Sequence, residues 1–401
     1  HTRLAAVSWG SEMCIRDRMR TNKMCAILGN LQRYQDLMPL TENRPLSTLL
    51  FDCKYRLLDF NLSSIENANI KQVYMIFNEG ETQSVFDHIG GGKEWNLDGV
   101  QNRFFIHLFQ DSLKKQAEGQ EYYYNVIDYL EKSKSDHTVF MGSKILCNID
   151  LRALLKIHQL QGNEMTVVYK RIGSDNVSES DLLFNVDSEG HLEEAIQAKK
   201  GEVGSLVNLC TDIFIIQTDR LIAALKEGQK VGATADLGQF LREMISVENT
   251  GLYEYTGYLS NIYDISSYYQ TNMDMLDVHK FTSLLYSNQK IYTKLKNEVP
   301  TYYSETSEVK NSHFASGCIV EGSVEQSLVA RRTKIHPEAK VKGAIIFGNN
   351  EIKAGAEVSY AILDKNVTIA EGVKVQGTKE TPIVIKKNSH VTEDVIGGAS
   401  A

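Results

Sequence analysis

The sequence has no continuous apolar run near the roughly 18 residues that a membrane span needs, no CxxC pair, and no HExxH or closely spaced histidines. The first absence excludes a membrane-spanning role. Six cysteines (Cys14, Cys25, Cys53, Cys147, Cys210 and Cys318) lie far apart, which argues against a disulfide framework or a thiolate zinc site and for a reducing cytoplasm. Ten dispersed histidines give a transition-metal centre no support, leaving oxygen-ligated magnesium as the one metal worth testing. An excess of basic charge is missing too: 43 Lys and Arg face 51 Asp and Glu, a formal net charge of −8. No overall positive field exists to recruit nucleic acid or an anionic bilayer, although a local anion site is compatible with this balance.

What is present suffices for two or three domains: 401 residues, 42% hydrophobic and 23% charged, near the average for globular chains. The opening stretch HTRLAAVSWGSEMCIRDR lacks the apolar core of a secretion signal, and SEMCIRDR resembles translated adapter sequence. Residues 1–23 are therefore expected to be a non-native or disordered leader, with the natural start at Met19 or Met24. From Met24 onward, short apolar runs such as CAILG, QVYMIF and HTVFMG alternate with segments of helical period. Tyr123, Val126, Ile127 and Leu130 share one helix face, and Leu151, Leu154, Leu155 and His158 share another. This alternation predicts a mostly parallel α/β sheet over residues 24–285, with His158 as core packing rather than a ligand.

Beyond KLKNEVPTYYSETSE the period changes. Apolar residues fall at Cys318, Val324, Val329, Ile335, Val341, Ile346, Ile352, Val358, Leu363, Ile369 and Val375, at steps of five or six that add to a 17-residue coil. Neither helix nor alternating strand has such a period; a triangular β-solenoid does. Val329, Ile346 and Leu363 are expected to stack in one column, and Val324, Val341, Val358 and Val375 in another. The outer faces suit assembly or effector docking, or a simple stabilising cap.

Several long segments then carry a resemblance: MPLTENRPLSTLLFDCKYRLLDFNLSS, DHIGGGKEWNLD, YTGYLSNIYDISSYYQTNMDMLD and KIYTKLKNEVPTYY. The chain resembles the bacterial ADP-glucose pyrophosphorylase (glucose-1-phosphate adenylyltransferase) family from Met24 to the solenoid. GSKILCNIDL and VKNSHFASGCIVEGSVEQSLV resemble its noncatalytic, GlgD-type regulatory subunits in particular. The resemblance implies a nucleotide-diphospho-sugar transferase (Rossmann-like) α/β domain over 24–285, a linker over 286–308, and a left-handed parallel β-helix with a C-terminal tail over 309–401. It also implies adenylyl transfer from ATP to glucose 1-phosphate as the family reaction, which rests on backbone donors, cations and metal.

Against the family pattern, three catalytic parts are altered. The glycine-rich turn, GGxGTRLxPLT in the family, reads GNLQRYQDLMPLT here, with one glycine and with Asp36 where the arginine aligns. A carboxylate there would repel phosphate by roughly 3 kcal/mol at about 5 Å and an effective dielectric near 20. The magnesium-holding GDxxY segment reads MGSKIL, with Ser143 replacing the aspartate and Lys144 beside it. The WxDVGT-like segment reads YLSNIYDIS, with Asn261 in the aspartate's place and Asp264 the nearest alternative acid. The expectation is a chain without catalytic residues or a metal site of its own, and with no cofactor, Mg2+ being held by a catalytic partner.

Lys54 and Arg56 match a basic pair that lies near sugar-phosphate effector sites in the family; the alternative is an exposed ion-paired turn. Arg331 and Arg332 form a second basic spot suited to an anionic effector at the domain junction, or to solubility and subunit contacts. GGGK at 90–93 lacks the frame of a P-loop and reads as a mobile loop near the cleft, with Lys93 as a ligand contact. The resemblance implies a cytoplasmic regulatory subunit in a heterotetramer with a catalytic ADP-glucose pyrophosphorylase subunit, responsive to a sugar-phosphate effector. The alternatives are a weakly active adenylyltransferase using Asp264, and a free-standing sugar-phosphate sensor.

Overall fold

The structure, a computed structural model, describes residues 23–99, 102–199, 205–246 and 249–397. The leader expected over 1–23 lies outside them except for Lys23, which runs directly into the first strand.

The N-terminal domain is a nine-stranded sheet: β1 (Met24–Asn30), β2 (Gln72–Phe77), β3 (Arg103–Leu108), β4 (His137–Met141), β5 (Met165–Gly173), β6 (Leu182–Val186), β7 (Leu192–Gln197), β8 (Leu206–Gln217) and β9 (Thr250–Glu254). The spatial order is β7-β6-β8-β4-β1-β2-β3, with β5 pairing β8 and β9. Strands β3, β2, β1 and β4 run parallel, but β8 is antiparallel to β4, β5 and β6. The expectation of a mostly parallel sheet is thus met by β3, β2, β1 and β4 and again by β9 beside β5, but the long strand β8 reverses direction against β4, β5 and β6.

Alternation along β1 feeds two cores. Met24, Ala26 and Leu28 face one side with α1 (Leu57–Asn67), and Cys25 and Ile27 face the other. On that second face α4 (Tyr124–Ser133) buries Val126, Ile127 and Leu130 as expected from their spacing. On the first, α5 (Leu151–Gln161) buries Leu151, Leu154, Leu155 and His158 after an N-cap at Asp150, whose side chain accepts from the amides of Arg152 and Ala153. His158 is core packing, bonded through Nδ1 to Thr166 Oγ1 at 2.8 Å. The remaining helices are α2 (Thr82–Ile89), α3 (Phe109–Ala117), α6 (Thr218–Gly228), α7 (Leu237–Glu243), α8 (Ile265–Met273) and α9 (Val278–Leu285).

The solenoid has three parallel sheets of six, six and five short strands. Its first strand is Tyr302–Tyr303, inside the stretch read as linker, because Tyr302 already pairs with Ile319 of the next coil. Val324, Val341, Val358 and Val375 stack in register, as do Val329, Ile346 and Leu363. The third column holds Val320 rather than Cys318, since Val320 pairs Tyr303 before it and Ile335 after it: the step from Val320 to Ile335 is two residues shorter than the 17-residue coil. Cys318 is buried beside it.

One solenoid sheet is apolar on both faces. Val329, Ile346, Leu363 and Ile385 point inward, while Leu328, Ile345, Ile362 and Val384 form an outer stripe that packs with Leu37, Leu40, Leu49, Phe60 and Tyr268 of the α/β domain in a shared core. Tyr269 OH donates to Gly343 O at 2.6 Å across the same junction. Burial of that stripe ties the two domains together.

Candidate functional site

Two concave regions matter: a cleft over the carboxyl ends of β1 and β4, and a groove between the domains. The cleft, of about 570 Å³, is lined by Gly29, Gln32, Arg33, Tyr34, Phe140, Gly142, Ser180, Asp212, Gly238 and Arg242 among others. This is where an open α/β sheet ordinarily receives its ligand. Gly29 is required there, since a Cβ would sit 2.4 Å from Phe140 Cζ.

The turn after β1 folds back into the cleft. Gln32 Nε2 donates to Asp212 Oδ2 at 3.4 Å, and Tyr34, whose hydroxyl burial pushes up to about 12 against a hydrogen bond with Ser180, lines the wall. Asp36 does not face the cleft. It is exposed on the single 3-10 turn Gln35–Leu37, which buries Leu37 and so turns its neighbour to solvent. Arg33 does line the cleft, and its charge is held by Glu81 at 2.8 Å.

Asp212 is a feature sequence reasoning missed. It sits at φ 55° in β8, its carbonyl accepts from the Gly142 amide at 2.9 Å, and its carboxylate takes Arg242 Nη2 at 2.6 Å and Nε at 2.7 Å. Burial pushes this carboxyl up, but the Arg242 hydrogen bonds and the charges of Arg242 and Lys144 outweigh it and hold it below the usual range.

Beneath this pair lies the altered metal segment. Lys144 and Asp181 side chains are both 0% exposed, and Lys144 Nζ is ion-paired with Asp181 Oδ1. Asp181 Oδ2 accepts from Asn261 Nδ2 at 2.6 Å and from the Ser178 amide at 2.8 Å. Asn261 also donates to Asn176 O at 3.1 Å. Burial lowers Lys144 to about 8, with the Asp212 charge opposing and that of Arg242 adding to it. Ser143 is buried beside it, and its Oγ has no hydrogen-bond partner among the described residues. Asp264 is committed elsewhere: it caps α8, Oδ1 accepting from the Ser267 amide at 2.6 Å. The donor set here is a serine, an asparagine, a lysine and two carboxylates, Asp181 engaged by that lysine and Asp212 by Arg242. This set does not fit a hard divalent cation, and among the described residues no group of three His, Cys, Asp or Glu could hold a metal.

The junction groove, of about 470 Å³, gathers eight cationic side chains (Arg44, Arg56, Lys294, Lys296, Arg331, Lys365, Lys386 and Lys387) against Glu42, Asp87 and Asp364. Arg56 and Arg331 are thus brought together, from separate domains. Arg56 donates to Thr48 O at 2.9 Å; burial, then the charge of Arg44, lowers it to about 10. Lys365 falls to about 8 through burial, then Arg56, Arg44 and Lys387. Cations that depress one another in this way favour an anion.

The other expected contacts lie outside the groove. Lys54 is exposed over the Tyr55 ring, 5.2 Å from its centroid, on the far side of the turn. Arg332 is 65% exposed and paired with Glu298 at 3.1 Å. Lys93 is exposed in the turn Lys93–Trp95 and lines neither region; its glycine loop lies beside Lys294 of the linker, not the cleft. The solenoid phase could have found two of the missed cations: Lys365 and Lys387 lie two residues after Leu363 and Ile385 of the Val329 column, as Arg331 does after Val329 itself.

Sequence profiles of known families match both domains: "Nucleotidyl transferase" over residues 35–179 and "GlmU-like, C-terminal hexapeptide" over residues 298–396. The chain is 29% identical over 383 residues to the glycogen biosynthesis protein GlgD of Bacillus subtilis (strain 168), covering 92% of this chain and 97% of that protein. It is 28% identical over 373 residues to GlgD of Geobacillus stearothermophilus, covering 92% and 97%. To the glucose-1-phosphate adenylyltransferase of Geobacter metallireducens (strain ATCC 53774 / DSM 7210 / GS-15) it is 25% identical over 374 residues, covering 84% and 88%. Among the described residues no helix is long and apolar enough to cross a membrane. With a nucleotidyl transferase domain followed by a left-handed hexapeptide-repeat β-helix, the chain resembles the bacterial glucose-1-phosphate adenylyltransferases and the GlgD proteins over nearly its whole length.

Proposed function

We propose that this chain is a catalytically silent regulatory subunit of glucose-1-phosphate adenylyltransferase. Its GlgD and adenylyltransferase relatives support a role in glycogen biosynthesis. The observation that carries the silent reading is the buried Lys144–Asp181 pair. An ammonium fixed against Asp181 and a guanidinium fixed against Asp212 leave no free acidic ligand for magnesium, and a divalent ion beside them would meet like charge. Asn261 and Ser143 bring only neutral oxygens, and Gln32 and Tyr34 lie in the cleft. Asp264, the acid a weakly active enzyme would need, is held in a helix cap.

A silent subunit acts by binding one conformation of its partner better than another. Couplings of about 1–3 kcal/mol change affinity by roughly 5- to 150-fold. The junction groove is the natural entry for an effector: Arg56 and Arg331 come from different domains, so a phosphate ligand between them would bias how the solenoid sits on the sheet. The partner in this reading is an active homologue, joined in a hetero-oligomer, and Mg2+ is bound by that homologue.

Coexpression with the active homologue, followed by native mass measurement and titration of a hexose phosphate, tests this reading. Mixed oligomers whose effector response differs from that of the homologue alone are expected. Homo-oligomers only, with hexose phosphate binding retained, would replace it with the free-standing sensor.

A further inference from the structure

Asp364 is the one acid in its solenoid column, which runs Ala330, Phe347, Asp364 and Lys386. It projects into the cationic groove. Its side chain is 3% exposed and ion-paired through Oδ2 with Nη2 of Arg44, itself 11% exposed. Arg44 is fixed from two further directions: Nε donates to Leu40 O at 2.6 Å, and its guanidinium lies 5.6 Å from the Phe347 ring centroid. Among the described residues this is the one ion pair between two side chains of the groove, and it joins the α/β domain to the solenoid.

A carboxylate presents one negative charge and two oxygens, and one of those oxygens, Oδ1, already accepts from the Lys365 amide at 2.7 Å. A phosphate dianion presents more charge and three acceptor oxygens in a geometry that guanidinium matches bidentately. Resting on the reading of this groove as a phosphate site, we propose that Asp364 is a resident anion that competes with a phosphate-bearing ligand for Arg44. Displacing it breaks an interdomain ion pair, so occupancy of the groove is coupled to release of the solenoid from the Arg44 turn. Asp364 therefore sets the affinity of the site and holds the unliganded junction closed.

Calorimetric titration of the full chain with inorganic phosphate, and separately with a hexose phosphate, tests the competition. Asp364→Asn keeps the shape and the acceptor for the Lys365 amide while removing the charge; Asp364→Ser serves if the asparagine variant does not fold. Removing the competitor is expected to tighten both probes by roughly tenfold, the scale of one charge interaction in a partly screened site. In an Arg44→Gln background the same change is expected to gain much less, because the contested group is gone. Equal or weaker binding by the Asp364 variants, with the wild type binding, overturns the competition and leaves the phosphate site standing. An undiminished gain in the Arg44→Gln background, or a gain with the hexose phosphate alone, also overturns it. No binding of either probe to any form removes the phosphate site itself.

Discussion

Replacing Lys144 by methionine removes the ammonium and keeps most of the side-chain volume, leaving the Asp181 carboxylate buried with only the Asn261 amide and the Ser178 N–H as partners. Breaking one side of a buried ion pair typically costs about 3–5 kcal/mol, because the other charge stays desolvated. With the 0% exposure of both side chains, Lys144→Met should lie in that range. For a domain of this size the melting temperature should fall on the order of 10 °C. Asp181→Asn alone leaves the ammonium unpaired and should cost a similar amount. The double variant Lys144→Met/Asp181→Asn removes both charges and keeps both hydrogen bonds to the residue 181 side chain, so it should recover at least half the loss. Denaturant unfolding of the α/β domain, followed as a double-mutant cycle, measures the coupling. A Lys144→Met variant within about 1 kcal/mol of wild type, or a double variant no more stable than the single one, would refute the claim that this pair is a closed, charge-neutral unit.

Gly29→Ala should destabilise by roughly 1–3 kcal/mol through overpacking against Phe140, and Phe140→Leu should restore much of the loss; thermal melts of the two variants check this. Burial lowers both His137 and His158, the latter to about 4, so the unfolded chain binds protons there first. Stability from these neutral rings is complete above the unfolded value near 6.5 and is lost as pH falls toward 4, by roughly 1–2 kcal/mol after screening; denaturation midpoints across that window should slope less in His158→Gln. At the junction, the Asp52 hydrogen bond at 2.6 Å raises His313 despite burial, so its contribution is full below about 6.5 and fades above. Amide exchange around Cys53 and His313, corrected for intrinsic rates, should quicken above that pH in wild type and change little in His313→Gln.

The solenoid was the most legible part of the chain because each coil repeats one inward residue per face, and Val324, Val341 and Val358 keep that phase through the structure. Its docking stripe was less visible, since Leu328, Ile345 and Ile362 read as doubled apolar residues until the strand geometry assigns them to the outer face. In the α/β domain, helix faces such as Val126, Ile127 and Leu130 followed from spacing, but the reversal of β8 depends on pairings distant in sequence. The cleft behaved likewise. Ser143 and Asn261 could be found by alignment, whereas Lys144 meets Asp181 across 37 positions and no local signal joins them. Asp36 was misplaced because a short turn, fixed by burial of Leu37, decides which side chain of that loop faces inward.

Central to the proposed function is that the cleft does not perform adenylyl transfer by itself. Pyrophosphate release from ATP and glucose 1-phosphate with magnesium, measured for the purified chain alone, for an active homologue alone and for the two coexpressed, tests this most directly. The predicted result is no turnover above background for the chain alone and a raised or effector-shifted rate in the mixture. Magnesium-dependent turnover by the chain alone, abolished by Asp264→Ala, would contradict the account, as would a mixture indistinguishable from the active homologue.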